Sequence, residues 1–387
     1  MDRNTHRLVN WIEGMDVNYN HFQQLENYFI DRLGDIQAGR ITQYNYGLLP
    51  SDDGKSDSSE FNISEQVTGK VEIKLRRCNA LTAGGCRISY NPSHDEAIRY
   101  VHSFDAGKEL TDSSAEYWDV ILSVNPFKRV PVGIPNEDET PPRHPDSMEH
   151  YDLSIVAKGT ILRNQLGFRH LVIGRIRNKG GRYEVDTNYI PPCTSMKSHA
   201  DLLSYYEDFG VHLGDIERTS SMIISKIRNR AARKEDDLPK HIGNLCEEIM
   251  RYISSIYFIY RNAGKDMTPI HIVNYFSTLA HICFMGLNFI DKQGKEELLK
   301  YFYEWSDVTP GTFEDLLSNT LGIIYEHDNI RVTMLQIESF LKIISELWFK
   351  LSTLEYIGQR KDNIVISEKW NQPEQVKTDK SGWSILD

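Results

Sequence analysis

The sequence has no Gly-x-Ser-x-Gly elbow, no phosphate-binding Gly-x-x-x-x-Gly-Lys-Ser/Thr loop and no His-Glu-x-x-His pair, which removes the commonest signatures of hydrolases, nucleotidases and zinc peptidases. Cysteine is scarce and odd in number: five thiols at 78, 86, 193, 246 and 283. That pattern suits reduced thiols in a cytoplasmic protein and excludes a disulfide framework. Positive charge is in deficit, with 44 Lys and Arg against 55 Asp and Glu for a net charge of −11. A nucleic-acid binder needs a basic face. The two local basic clusters, Arg228-Asn229-Arg230 with Arg233-Lys234 and Arg175 through Arg182, read as solvated charge on a helix end and on a hairpin. Long apolar runs are missing as well. The longest, Ile253–Tyr260 and His281–Ile290, fall short of a membrane span, and no apolar segment follows the N-terminal charges as in a signal peptide.

What is present is ordinary for a soluble globular protein, with 40% hydrophobic and 26% charged residues. A length of 387 residues allows two or three domains with real cores. The chain changes character near residue 195. Before it, Val71–Arg76, Trp118–Val124 and Tyr151–Ile155 alternate apolar and polar residues at period two, as half-buried strands do. Leu171–Arg177 and Arg182–Val185 flank Asn178-Lys179-Gly180-Gly181, a hairpin turn. These strands predict a β-rich, sandwich-like unit. Residues 51–60 read as a polar loop, and residues 131–147, with prolines at 131, 135, 141, 142 and 145, as an exposed loop that cannot enter a central strand.

After Pro191-Pro192 the period becomes helical. Leu202, Tyr206, Phe209, Leu213, Ile216, Ser220, Ile223 and Ile227 step by fours and threes, a seam with one polar position at Ser220. Ile242, Leu245, Ile249, Tyr252, Ile256 and Ile259 repeat the stepping, as do Ile330, Met334, Ile337, Leu341, Ile344, Trp348 and Leu351. One four-helix bundle can use such seams internally. The wide apolar arc of the last helix, which adds Phe340, Ile343, Leu347 and Leu354, favours a bundle that also oligomerises.

The N-terminus carries a compact pattern, Trp11-Ile12-Glu13-Gly14-Met15-Asp16-Val17-Asn18-Tyr19-Asn20-His21-Phe22-Gln23. Gly14 is free to turn the chain, and Asn18 or Asn20 suits the cap of a helix running to about Gly34 with Phe22, Leu25, Phe29 and Leu33 on one face. Such an arm either tucks onto its own core or docks on a partner, and an anchored docking arm does both. The pattern resembles the N-terminal signature of the type VI secretion baseplate TssK family, also called ImpJ or VasE, with Tyr19-Asn20 in place of a Pro-Gln pair and Val17 in place of leucine. Tyr46-Gly47-Leu48, Leu171–Arg175, Tyr189-Ile190-Pro191-Pro192-Cys193 and the helix opening at Ser198–Leu203 follow in the family's order, so the resemblance covers about residues 1–355.

The resemblance implies an α+β protein: a β-rich shell over 1–195, a trimerising helical neck over 196–357, and a tail over 358–387 where longer relatives carry a head domain. It also implies a non-enzymatic adaptor in the bacterial cytoplasm. The homotrimer would grip the TssF–TssG wedge with Trp11, Glu13, Gly14, Met15, His21, Phe22 and Gln23. Its distal end would face the membrane complex, TssL and TssM or a substitute, at the inner membrane. Tyr189, Pro191 and Pro192 mark the shell–neck junction. Leu202, Tyr206, Phe209, Leu213, Ile216, Ile337, Leu341, Ile344 and Trp348 form the expected trimer and neck seam, and Trp370 and Trp383 are candidate tail contacts.

Chemistry has few candidates. Ala83-Gly84-Gly85-Cys86 reads as a β-turn, and Cys78, Cys86, His94 and His102 match no standard zinc spacing. His271 and His281, ten apart on a helix, lie about 80° off a common face and read as buried or partly buried structural histidines. No metal and no cofactor are expected. The competing function class is a carbohydrate- or lipid-binding β-domain on a helical bundle, or an unrecognised hydrolase.

Overall fold

The computed structural model describes residues 6–51, 58–66, 70–91, 100–105, 116–158, 169–179, 182–230, 237–306 and 308–361. Up to residue 185 the described residues make one helix, α1 (Tyr19–Ala38), and two antiparallel sheets. The first sheet is built on β3 (Lys70–Leu81), whose burial alternates residue by residue. One edge of β3 carries β2 (Ser59–Glu65) and β1 (Gly47–Leu48), and the other carries β5 (Val101–Asp105) and β4 (Arg87–Tyr90). The second sheet has the order β7-β6-β8-β9, from β6 (Tyr117–Val132), β7 (Asp146–Ala157), β8 (His170–Lys179) and β9 (Arg182–Val185). Period-two patterning sends Val71, Ile73, Leu75, Ile88 and Phe104 of one sheet, and Val120, Leu122, Leu153, Leu171 and Ile173 of the other, into one apolar core.

The proline-rich segment is not simply a loop. β6 and β7 continue as a two-stranded arm in which Pro131 pairs with Ser147, and no third strand asks Pro131 for the missing N–H. Likewise, β2 begins inside the segment read as a polar loop.

From residue 200 onward the described residues are helical: α2 (Ala200–Arg230), α3 (Asp237–Ala263), α4 (Pro269–Asn288), α5 (Lys292–Ser306), α6 (Pro310–Leu321) and α7 (Ile330–Thr353). α7 lies centrally, packed on α2, α4, α5 and α6, and α2 and α4 also pack on α3. Leu202, Phe209, Ile216, Ile337, Leu341, Ile344 and Trp348 are fully buried, with Tyr206 and Leu213 nearly so. The seam side chains therefore face one another inside the helical bundle of a single chain. The seam's polar position has a partner there, since the Trp348 indole Nε1 donates to Ser220 Oγ at 2.9 Å.

Two further readings change. α4 is long and apolar enough to cross a membrane by length and composition, with 20 residues and a mean hydropathy of 1.3, because polar residues only punctuate it. In this fold Ile272, Phe276, Leu279, Cys283 and Leu287 on that helix are buried in the bundle. His271 and His281 are exposed rather than buried, and His271 Nδ1 bonds the Thr268 hydroxyl at 2.7 Å.

Candidate functional site

The helix of the N-terminal signature starts where Asn18 caps it. Asn18 is extended, its side chain accepts the Asn20 N–H at 3.0 Å, and its own N–H donates to His21 Nδ1 at 3.2 Å. His21 thus fills the reciprocal place usually taken by Glu or Gln. Gly14, at φ +80°, turns the arm ahead of the cap, and the Trp11 ring meets His21 edge-on with centroids 6.0 Å apart. Met15, His21 and Gln23 are half-buried, and Glu13 is exposed.

Polar groups anchor the arm and helix to the β-rich half. The His6 backbone N–H donates to Asp31 Oδ2 at 2.7 Å, and His6 Nδ1 lies 2.7 Å from the same oxygen. Gln24 donates to the Arg7 carbonyl at 3.0 Å, and Arg129 on the β6–β7 arm pairs with Glu26 at 2.7 Å. Asn27 is the buried residue of α1. The far end of α1 sits on the β3–β4 turn, where a side chain at Gly85 (φ +84°) would lie 2.8 Å from Gln37 Cβ. Only glycine permits both that backbone and that approach.

The outward face is the apolar one. Phe22, Phe29, Leu33 and Ile36 are 55%, 54%, 63% and 60% exposed, and Leu8, Trp11, Ile12 and Val17 on the arm are also open. A surface helix normally shows water its polar face. α1 keeps Leu25 and Ile30 half-buried, yet shows an apolar stripe beside its exposed Gln24, Glu26, Arg32 and Gln37, and the arm extends that stripe. Helical spacing made Phe22, Phe29 and Leu33 visible as one stripe in the sequence, but not which way it points; Leu25, read with them, is half-buried.

The junction residues are buried with the β-rich core. Tyr189, Pro191 and Pro192 are all buried, and the Arg175 guanidinium, itself paired with Asp119 at 2.7 Å, lies 4.0 Å over the Tyr189 ring. Leu48 donates its N–H to the Pro192 carbonyl at 2.7 Å, and its carbonyl accepts the Thr194 N–H at 2.9 Å. A Cβ at Gly47 (φ +117°) would stand 2.0 Å from the Pro192 oxygen. Two residues that the sequence reading passed over, His327 and Arg331, complete this junction. Arg331 donates to the carbonyls of Thr187 and Asn188 and pairs with Asp201. His327 Nε2 lies 2.8 Å from the Tyr46 carbonyl. Their only local signal is a polar run, Glu326-His327-Asp328-Asn329, just ahead of α7.

Among the described residues no three His, Cys, Asp or Glu side chains stand together as a metal site. His94, Trp370 and Trp383 lie outside the described residues. Burial pushes the Cys78, Cys246 and Cys283 thiols up to about 12, and raises Cys86 and Cys193 as well, which keeps them protonated and poor nucleophiles.

No protein-family model and no curated protein matches the sequence. Solved structures match in shape. A chain of the baseplate complex from the type VI secretion system superposes with a TM-score of 0.51 at 13% identity, over 88% of this chain and 69% of that one. A crystal structure of TssK gives 0.49 at 14% identity, over 87% of this chain and 69% of that chain. The TssK–TssF–TssG baseplate subcomplex gives 0.47 at 11% identity, over 87% of this chain and 99% of that chain. What is shared at 13% identity is the architecture, and in architecture this chain is similar to a subunit of the type VI secretion baseplate.

Proposed function

We propose that the chain is a structural, non-enzymatic subunit of a type VI secretion baseplate, of the TssK kind. In this reading residues 1–195 are the shell and 196–357 the neck. The observation that carries the proposal is α1, a helix seated by polar contacts and open to solvent along Phe22, Phe29, Leu33 and Ile36. A contiguous exposed apolar strip of this kind suits a surface made for another protein. The partner is the TssF–TssG wedge that the N-terminal signature implies. Trp11 and Phe22 supply the aromatic anchors that dominate such contacts, and Glu13 and Gln23 supply a polar rim.

The functional unit is a homotrimer. Its copies meet through outer faces of the shell and neck, because the seam residues are buried within each chain. The distal end of the neck, with the tail, faces the membrane-anchored complex at the cytoplasmic side of the inner membrane. Co-expression with candidate TssF and TssG, followed by affinity capture and native mass spectrometry, tests the reading. The expected result is a trimer that carries the wedge proteins. A stable monomer that captures neither would overturn it.

A further inference from the structure

The face that α1 turns to the β-rich half is polar and small. At helical spacing it presents Gln23, Asn27, Asp31, Gly34 and Ala38, of which Asn27 is buried and the others half-buried. Seating such a face removes little apolar surface from water. Asn27 makes the seat weaker still, since its Oδ1 is buried and meets no hydrogen-bond partner among the described residues. Among the described residues, the apolar core and the partly buried apolar side chains packed against it include no residue of α1. Val9, the buried side chain of the arm, also stands outside that core.

The polar contacts divide into two kinds. The bonds of His6 to Asp31 and of Gln24 to the Arg7 carbonyl tie the arm to the helix, and so travel with both. Contacts that reach across to the sheets include the Glu26–Arg129 pair, the His6 ring against Phe127 at 4.5 Å, and the approach of Gly85 to Gln37. Glu26 is open to water, and a pair of that kind adds little stability. Past Gly39 the chain is anchored again. Ile41 packs against the core, the Tyr44 ring meets Tyr325 at 5.8 Å, and Tyr46 belongs to the core itself. Between the two regimes the bonds are local, from the Arg40 and Ile41 amides to the Gln37 carbonyl and from Asn45 Nδ2 to the Arg40 carbonyl.

We infer that residues 6–38 form a unit that lifts off the β-rich half about Gly39 and Arg40 while the two sheets and the helical bundle stay folded. Lifting breaks the Glu26–Arg129 pair and the Gly85 contact, and it hydrates Asn27. The face it exposes is polar, so the step is far easier than opening a strand of the core. Once lifted, a single helix of 20 residues is marginal in water and unravels in turn. On the reading of α1 as a docking surface, the apolar strip is carried on a part that shifts to fit its partner without disturbing the shell. The opening itself belongs to the isolated chain and holds whatever the strip binds.

The test is amide hydrogen exchange of the full chain across a series of low denaturant concentrations. The amides of residues 23–38 should exchange together, at least about 100-fold faster than those of Val71, Ile73, Ile337 and Leu341 after correction for intrinsic rates, and with a slight dependence on denaturant. Asn27→Leu replaces the unpartnered amide with an apolar group of similar size and should slow that opening about fivefold. Arg129→Ala should speed it about threefold. Neither variant should change exchange in β3 or α7. Wild-type protection of residues 23–38 equal to that of β3 would overturn the inference. So would a rate graded along the helix, the mark of fraying, or exchange at the rate of an unfolded chain, which would mean that α1 is never seated. Changes in either variant that spread equally to β3 and α7 would overturn it as well. If a variant does not fold, the wild-type profile decides.

Discussion

Helices α1 and α7 look alike as sequence, each with apolar residues at helical spacing, yet they place those residues in opposite ways. α7 puts Ile337, Leu341, Ile344, Trp348 and Leu351 at the centre of a bundle, out of reach of water. α1 buries Asn27 and shows Phe22, Phe29, Leu33 and Ile36 to solvent, with Glu26 on the same open stripe reaching Arg129. The difference separates two uses of one pattern. In α7 the apolar face holds the chain together. In α1 it contributes little to the isolated chain and is free for a partner.

That contrast can be broken by substitution, starting with the largest expected effect. Trp348→Ala removes the bulkiest fully buried side chain of α7 and leaves Ser220 Oγ without its donor. We expect a loss of about 3–5 kcal/mol by chemical denaturation, and a loss under about 1 kcal/mol would mean that the bundle does not rest on this seam. Gly47→Val forces a Cβ to 2.0 Å from the Pro192 oxygen at a positive φ. It should cost on the order of 3 kcal/mol, read as a lower melting temperature, and an unchanged one would deny the close approach. Asn18→Ala removes the cap of α1 and should cost about 1 kcal/mol, seen as faster amide exchange confined to residues 19–23; exchange that rose equally along α7 would show that the two helices are not independent. The smallest effect is expected from Phe29→Asp with Leu33→Asp. Both side chains are already more than half exposed, so stability should move by no more than about 0.5 kcal/mol.

Much of the fold was legible in the sequence because it follows local periodicity. β3, β6, β7, β8 and β9 were visible as alternation or as a hairpin, and the starts of α1 and α2 as an Asn cap and a Pro-Pro break. The direction of the α1 stripe was not legible, since spacing reports that apolar residues share a face and says nothing of what lies opposite. The fate of the seams was hidden for a related reason. The same four-and-three stepping serves packing within a chain or between chains, and the Trp348–Ser220 pair that closes the bundle joins residues 128 apart. The His327–Tyr46 contact spans 281 residues and left no trace in either local pattern.

The most direct measurement pairs wedge capture with melting temperature for the Phe29→Asp, Leu33→Asp chain. If α1 is a docking surface, capture of TssF and TssG falls at least tenfold while the melting temperature stays at the wild-type value. Capture at wild-type strength, or a collapse in melting temperature that matches the Trp348→Ala chain, would contradict the account.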